Sequence, residues 1–181
     1  MSIEGDFVEC GVGRGFMSSA IMDALDWNTT GRQFYLFDTF SGVLEELCSE
    51  EEKQQMAHEW GGVEAHNIAH AKFYAQTYDS VVENFSEWEN VSLIQGSVPE
   101  SLGEVEIEKV AYLHIDMNCV GPEIAAIEHF WPKLSPSACV VLDDYAFLGY
   151  ELQYAAWNEW SRELNVPILT LPTGQGLIIK T

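Results

Sequence analysis

Several apolar runs in this 181-residue chain end on a small or acidic residue, and those endings hold most of the groups able to do chemistry. The stretch Glu9-Cys10-Gly11-Val12-Gly13-Arg14-Gly15 closes the first run. Glycines let a backbone turn sharply and approach a ligand closely. The N–H groups at the start of a following helix can receive a carboxylate or phosphate. A plain strand-to-helix turn explains the same glycines. The spacing is G-x-G-x-G, so the third small residue of the dinucleotide fingerprint would fall at Phe16. A pyrophosphate there would meet a large ring. Glu9 stands where it can engage an ammonium group, and Arg14 can pair with a carboxylate of a ligand or of the protein.

Asp38 closes the second run and can accept hydrogen bonds from both hydroxyls of a ribose. Ser97 closes the third and can meet an adenine edge. A ligand carrying an ammonium, a carboxylate, a ribose and an adenine is S-adenosylmethionine. Its contacts are expected at Glu9, Gly11, Val12, Gly13, Gly15 and Ser18 around the first turn. Further contacts are expected at Asp38, Phe40 and Gly42, at Gly96 and Ser97, and at Asp116.

Asp116 closes the fourth run and Asp143-Asp144 the fifth. If those strands are neighbours, three carboxylates converge, and their repulsion raises pKa values unless something offsets it. A hard divalent ion such as Mg²⁺ offsets it with oxygen ligands and would acidify a bound hydroxyl. The alternative is that Asp143 caps the next turn and Asp116 touches only the cofactor.

The elements that must position these groups alternate between apolar runs and helical stretches, the pattern of an α/β fold around a mostly parallel sheet. Strands are expected at 6–10, 33–37, 91–95, 110–115 and 139–142, with a terminal hairpin from 168–171 and 177–179. Helices are expected at 18–25, 122–131 and 149–164, the last with Leu152, Ala155, Ala156, Trp160 and Leu164 on its buried face. Residues 43–89 read as a helical insertion covering the crevice, with helices at 45–60 and 77–88 and a break at Gly61-Gly62. In such sheets ligands bind at the carboxyl ends of the strands, near the switch in strand order. Glu9, Asp38, Ser97, Asp116, Asp143 and Asp144 are therefore expected around one crevice.

Composition narrows the classes. With 47% hydrophobic residues the chain can bury one core, so a single domain over 1–181 is expected. A net charge of −21 argues against nucleic acid and anionic membranes as partners. No apolar run is long enough to span a bilayer, and no leader pattern stands at the N-terminus. The four cysteines, Cys10, Cys48, Cys119 and Cys139, form no CxxC pair. A zinc ribbon or redox motif is thereby excluded, and a reduced, cytoplasmic location is expected. The run Glu50-Glu51-Glu52 reads as a solvated helix face. His66 and His70 have a spacing that could clamp a metal or face a substrate.

The ordered blocks ECGVGRG, FYLFDTFSG, VSLIQGSVPESL, YLHIDMNCVGPEIAAIEHFWPKLSP and VVLDDYAFLGY resemble the macrocin O-methyltransferase (TylF-like) family, over nearly the whole chain. Its members are class I S-adenosylmethionine-dependent methyltransferases. The resemblance implies a Rossmann-like, seven-stranded sheet with the last strand antiparallel and helices on both faces. It implies a Mg²⁺ site at Asp116, Asp143 and Asp144, and methyl transfer to a hydroxyl of a sugar or natural-product-like small molecule. The family's D-x-D motif reads Asp116-Met117-Asn118 here, and a neutral amide at Asn118 cannot serve as the base. His114 and Tyr145 are the other candidates for that role. Family members carry a segment before the glycine strand that helps cover the site. Here the cover is expected from the 43–89 insertion alone or from a second subunit in a homodimer. Two rival readings remain: a cofactor-binding protein without turnover, and a nucleotide-dependent oxidoreductase, against which Phe16 argues.

Overall fold

The computed structural model describes residues 3–74 and 77–181, so residues 75 and 76 of the predicted insertion lie outside the described residues. Strands β1 (Asp6–Cys10), β2 (Phe34–Asp38), β3 (Val91–Gln95), β4 (Val110–Ile115), β5 (Leu134–Leu142), β6 (Leu169–Thr170) and β7 (Gly176–Ile179) form one sheet. Their order is β3-β2-β1-β4-β5-β7-β6. Strands β1 to β5 pair in parallel, and β7 runs antiparallel to both β5 and β6. The strand order reverses between β1 and β4, which places the crevice above Cys10 and Ile115.

Strand alternation divides the core. Val8, Cys10, Leu113, Ile115, Val140 and Leu142 point to one face. There they meet Ala126, Ile127 and Phe130 of α5 (Val120–Phe130) and Trp157 and Trp160 of α6 (Glu151–Leu164). The other face buries Phe34 and Leu36 with Met22 of α1 (Phe16–Leu25), Trp27, and Val81 and Phe85 of α4 (Tyr78–Asn84). Phe7 packs its ring against Trp27, Phe34 and Tyr112 at centroid distances of 5.2–5.6 Å.

The insertion departs most from the sequence reading. The expected helix at 45–60 is a short 3-10 turn followed by α2 (Glu50–Glu59). Ser49 starts α2 through a capping box, in which its hydroxyl accepts from Glu52 N while Glu52 accepts from Ser49 N. A helix absent from the sequence reading, α3 (Val63–Tyr74), follows Gly61-Gly62. Its apolar residues lie on no single stripe, so periodicity gives no warning of it. The last helix buries Trp160 as expected, but together with Gln153 and Trp157 rather than with Leu152, Ala155, Ala156 and Leu164. The Trp157 indole decides that choice, because its Nε1 donates to the buried Glu123 at 2.8 Å. No helix among the described residues is long and apolar enough to cross a membrane.

Gly11 shows how tightly the central strands close. Its φ is +88°, and a Cβ there would lie 1.7 Å from the Asp116 carbonyl oxygen. The backbones meet here because Asp116 N donates to Cys10 O at 2.8 Å. Gly11→Ala is expected to lower stability by at least about 3 kcal/mol, from backbone strain and overpacking together. Urea unfolding measures it, and a wild-type midpoint would show that β1 and β4 part easily at this point.

Candidate active site

A cavity of about 720 Å³ opens above the carboxyl ends of the strands. The glycine loop and the β2 tip form one wall, the Asp116 and Asp143-Asp144 tips another, and α3 with residues 39–44 closes over them.

Glu9 and His114 are direct cross-strand neighbours in the β1–β4 register. Both are about 98% buried, and His114 Nδ1 donates to Glu9 Oε1 at 2.8 Å. His114 Nε2 lies 4.0 Å from Asp143 Oδ1, within reach of attraction between charges but too long for a hydrogen bond. Burial alone would lower the His114 pKa, but Asp143 and Glu9 outweigh it and raise the value to about 10. Both carboxylates thus favour the imidazolium cation, and the ring also lines the cavity, with its Nε2 buried and without a hydrogen-bond partner. The same cation draws the Asp143 carboxyl below its ordinary range, and Gln175 Nε2 donates to that carboxylate at 2.7 Å.

One oxygen from each of Asp116, Asp143 and Asp144 lies within 4.8 Å of the others, the one such group of three among the described residues. Burial, then the charges of Asp144 and Asp143, hold Asp116 well above its ordinary range. Burial and Asp143 raise Asp144 to about 7. The expected convergence is thus present, together with its electrostatic cost. Asn118 takes a left-handed conformation, φ 57°, beside Asp116. Its amide nitrogen lies 3.5 Å from Asp116 Oδ1, and its amide oxygen accepts from the Tyr150 hydroxyl. Asn118 therefore links Asp116 to Tyr150 and accepts no proton.

Asp38 already holds the glycine loop. Its carboxylate accepts from Val12 N at 2.7 Å, Gly13 N at 2.9 Å and Phe40 N at 2.6 Å. The loop amides expected to meet a ligand carboxylate are thus partly committed to Asp38. Glu9, Gly11, Val12, Gly13, Asp38, Phe40, Gly42, Gly96 and Asp116 all line the cavity as expected. Three predicted contacts do not. Gly15 lies under Phe85, whose ring a Cβ would meet at 2.2 Å. Ser18 is buried in α1 with its hydroxyl 3.3 Å from Gly15 O. Ser97 donates to Glu100 at 2.9 Å, and Val98 takes its place in the wall. Tyr145, expected as a base, is buried outside the cavity lining and donates its hydroxyl to Asn158 at 3.1 Å.

Several lining residues escaped sequence reasoning because their partners are distant in the chain. Tyr150 and Gln175 are two. Glu52, read as a solvated carboxylate, is 4% exposed and accepts from Val120 N at 2.7 Å, fastening α2 to the first turn of α5. His66 and His70 face the cavity with their rings stacked at 4.0 Å and Trp60 edge-on to both. Burial lowers both pKa values, so neutral imidazoles face the cavity. Between them Asn67 grips Val43 N and Val43 O at 3.0 and 2.8 Å.

This sheet, with its antiparallel seventh strand and its cavity at the switch point, is the Rossmann-like methyltransferase fold. It superposes on the solved structure of the O-methyltransferase NovP with a TM-score of 0.78 at 21% identity, covering 99% of this chain and 73% of that one. The chain matches the model of the macrocin O-methyltransferase (TylF) family over residues 1–171, and it belongs to that family. Membership sets aside the oxidoreductase reading. One relative is the 8-demethyl-8-(2,3-dimethoxy-alpha-L-rhamnosyl)-tetracenomycin-C 4'-O-methyltransferase of Streptomyces olivaceus, 28% identical over 80% of this chain and 54% of its own. Another is the mycinamicin III 3''-O-methyltransferase of Micromonospora griseorubida, 25% identical over 79% of this chain and 56% of its own. The chain thus spans about half the length of these relatives.

Removing one member of a buried ion pair strands the other, typically at 3–5 kcal/mol. His114→Gln is expected to lose about 3 kcal/mol near pH 6, measured by urea unfolding. A raised histidine pKa stabilises fully below the unfolded value of about 6.5 and loses that contribution as pH rises through about 10. The gap between wild type and variant should therefore shrink from pH 6.5 toward pH 10. A gap that stays constant over that range would mean the ring is neutral.

Proposed function

We propose that this chain binds S-adenosylmethionine in the cavity and, with Mg²⁺ or another hard divalent ion, methylates a hydroxyl of a sugar or similar natural-product-like small molecule. The observation that carries the reading is the Asp116–Asp143–Asp144 cluster facing a cavity whose other wall is the glycine loop.

The residues fit both groups. Glu9 Oε2 is buried without a hydrogen-bond partner, and Glu9 lines the cavity, where an ammonium would satisfy it. Gly96 and Val98, both in the lining, bear no polar side-chain group and so suit the face of an adenine. The three carboxylates repel one another, and their all-oxygen donor set suits a hard cation. S-adenosylmethionine supplies an electrophilic methyl group, and the cation acidifies the acceptor hydroxyl. The chain's own residues bind and orient. Asp143 is favoured in its ionised form by His114, Asp116 is steadied by Asn118, and α3 with residues 39–44 lines the cavity opposite them. Such alignment is the main lever a protein has on a two-reactant transfer.

Both relatives are O-methyltransferases of a numbered position, 4' and 3'', and the first is named for a rhamnosyl-bearing tetracenomycin. That supports a sugar hydroxyl as acceptor here. The net charge of −21 supports a small-molecule acceptor over nucleic acid. A cofactor-binding protein without turnover is the second reading, favoured by Asn118 and by the commitment of His114 and Tyr145 elsewhere.

Calorimetry with S-adenosylhomocysteine, followed by transfer assays on rhamnosylated acceptors with Mg²⁺ or EDTA, tests the proposal. Cofactor binding with Mg²⁺-dependent transfer is expected, whereas binding without transfer to any acceptor favours the second reading. Asp143→Asn should remove at least about 99% of the Mg²⁺-dependent rate, the scale of losing a metal's share of catalysis. Its affinity for S-adenosylhomocysteine should stay within a few-fold of wild type, and full activity in this variant would take the metal out of the reaction. Protons on Asp116 and Asp144 compete with the cation, so Mg²⁺ affinity should rise as pH climbs through about 7. A pH-independent affinity in calorimetric titration would place the ion elsewhere.

A further inference from the structure

Two cysteines 71 positions apart meet beside the cavity. Cys48 ends the short turn before α2, and Cys119 directly precedes α5. Their Sγ atoms are 3.7 Å apart, and both side chains are buried. Cys119 also lines the cavity and donates to Leu47 O at 3.2 Å. A disulfide needs its sulfurs at about 2.05 Å and its Cβ atoms near 3.8 Å. Rotation of one side chain with a small backbone shift spans the difference. Cys10 on β1 and Cys139 on β5 point to opposite faces of the sheet, and neither makes a sulfur contact of this kind among the described residues.

We propose that Cys48 and Cys119 are a disulfide-forming pair, which hydrogen peroxide entering through the cavity oxidises. The Cys119 thiolate attacks one peroxide oxygen, the O–O bond breaks, and the other oxygen leaves as water after taking a proton. The Cys48 sulfur then attacks the Cys119 sulfenic sulfur. It gives up its own proton, the S–O bond breaks, and a second water departs. Two thiols are oxidised and one peroxide is reduced to two waters. Cys119 suits the first role because it is the member of the pair that lines the cavity, with the Cys48 sulfur 3.7 Å away to resolve it.

The bond would join the insertion to the segment that carries Asp116 and Asn118. At present the Glu52 contact with Val120 N and the thiol pair tie these two parts together. Oxidation replaces the weaker of those ties with a covalent one, so the cover over the cavity loses freedom to lift.

The full chain is exposed to hydrogen peroxide, its remaining thiols are alkylated, and a non-reducing peptide map is read by mass spectrometry. The expected result is a peptide linking Cys48 to Cys119, two hydrogens lighter than the separate peptides, with Cys10 and Cys139 alkylated. A bridge across 71 positions should also raise Tm by on the order of 10 °C, reversed by dithiothreitol. Cys48→Ser and Cys119→Ala should each abolish that rise. Complete alkylation of both thiols after peroxide, or a link between other cysteines, overturns the proposal. These readouts involve no methyl transfer, so they stand or fall apart from the proposed activity.

Discussion

The contact on which the site depends is the buried pair of Glu9 and His114. It joins β1 to β4 at the middle of the sheet, and the far side of the same imidazolium faces Asp143 at the tip of β5. One cation thus sits among carboxylates from two neighbouring strands. Without it Asp143 would be a third raised carboxyl beside Asp116 and Asp144. With it, one member of the cluster stays ionised while the other two are held up by burial and repulsion. The arrangement stores a deficit of positive charge where a divalent ion would be most strongly drawn.

The framework around this contact was legible because strand endings leave local marks. Asp116 and Asp143-Asp144 each follow a buried apolar run, and a parallel sheet delivers such endings to one edge. The strand runs and the hairpin at 169–179 follow from apolar runs and turn residues, whereas the antiparallel place of the last strand in the sheet came with the family resemblance. The glycine loop was readable as a turn, but not the fact that Asp38 would occupy two of its amides. That assignment depends on a three-dimensional approach of loop to strand tip, which no spacing records.

The errors share a cause. Glu52 looked like surface charge because its neighbours in sequence are glutamates, yet its partner Val120 N lies 68 positions away. Helix α3 was missed because its inner face is built of His66, Asn67 and His70, polar residues that contact cavity and loop rather than an apolar core. Tyr145 and Ser18 were assigned to the site for being near its motifs in the chain. Both point instead into helix packing. Absence of a CxxC spacing described the cysteines correctly along the chain and left out the contact that the fold makes between two of them.

The place of β1 in the sheet has a consequence for biosynthesis. Its partner β4 begins at Val110, and the carbonyl that fills the space beside Gly11 belongs to Asp116. A nascent polypeptide leaving the ribosome therefore carries β1 with one flank open until β4 has been made. During that interval β2 and β3 are its available neighbours, and parallel pairing across such separations is slow. The pocket accordingly cannot take shape before β4 and β5 have joined β1. A chain stalled before Asp116 would expose a central strand edge to chaperones and to other unfinished copies.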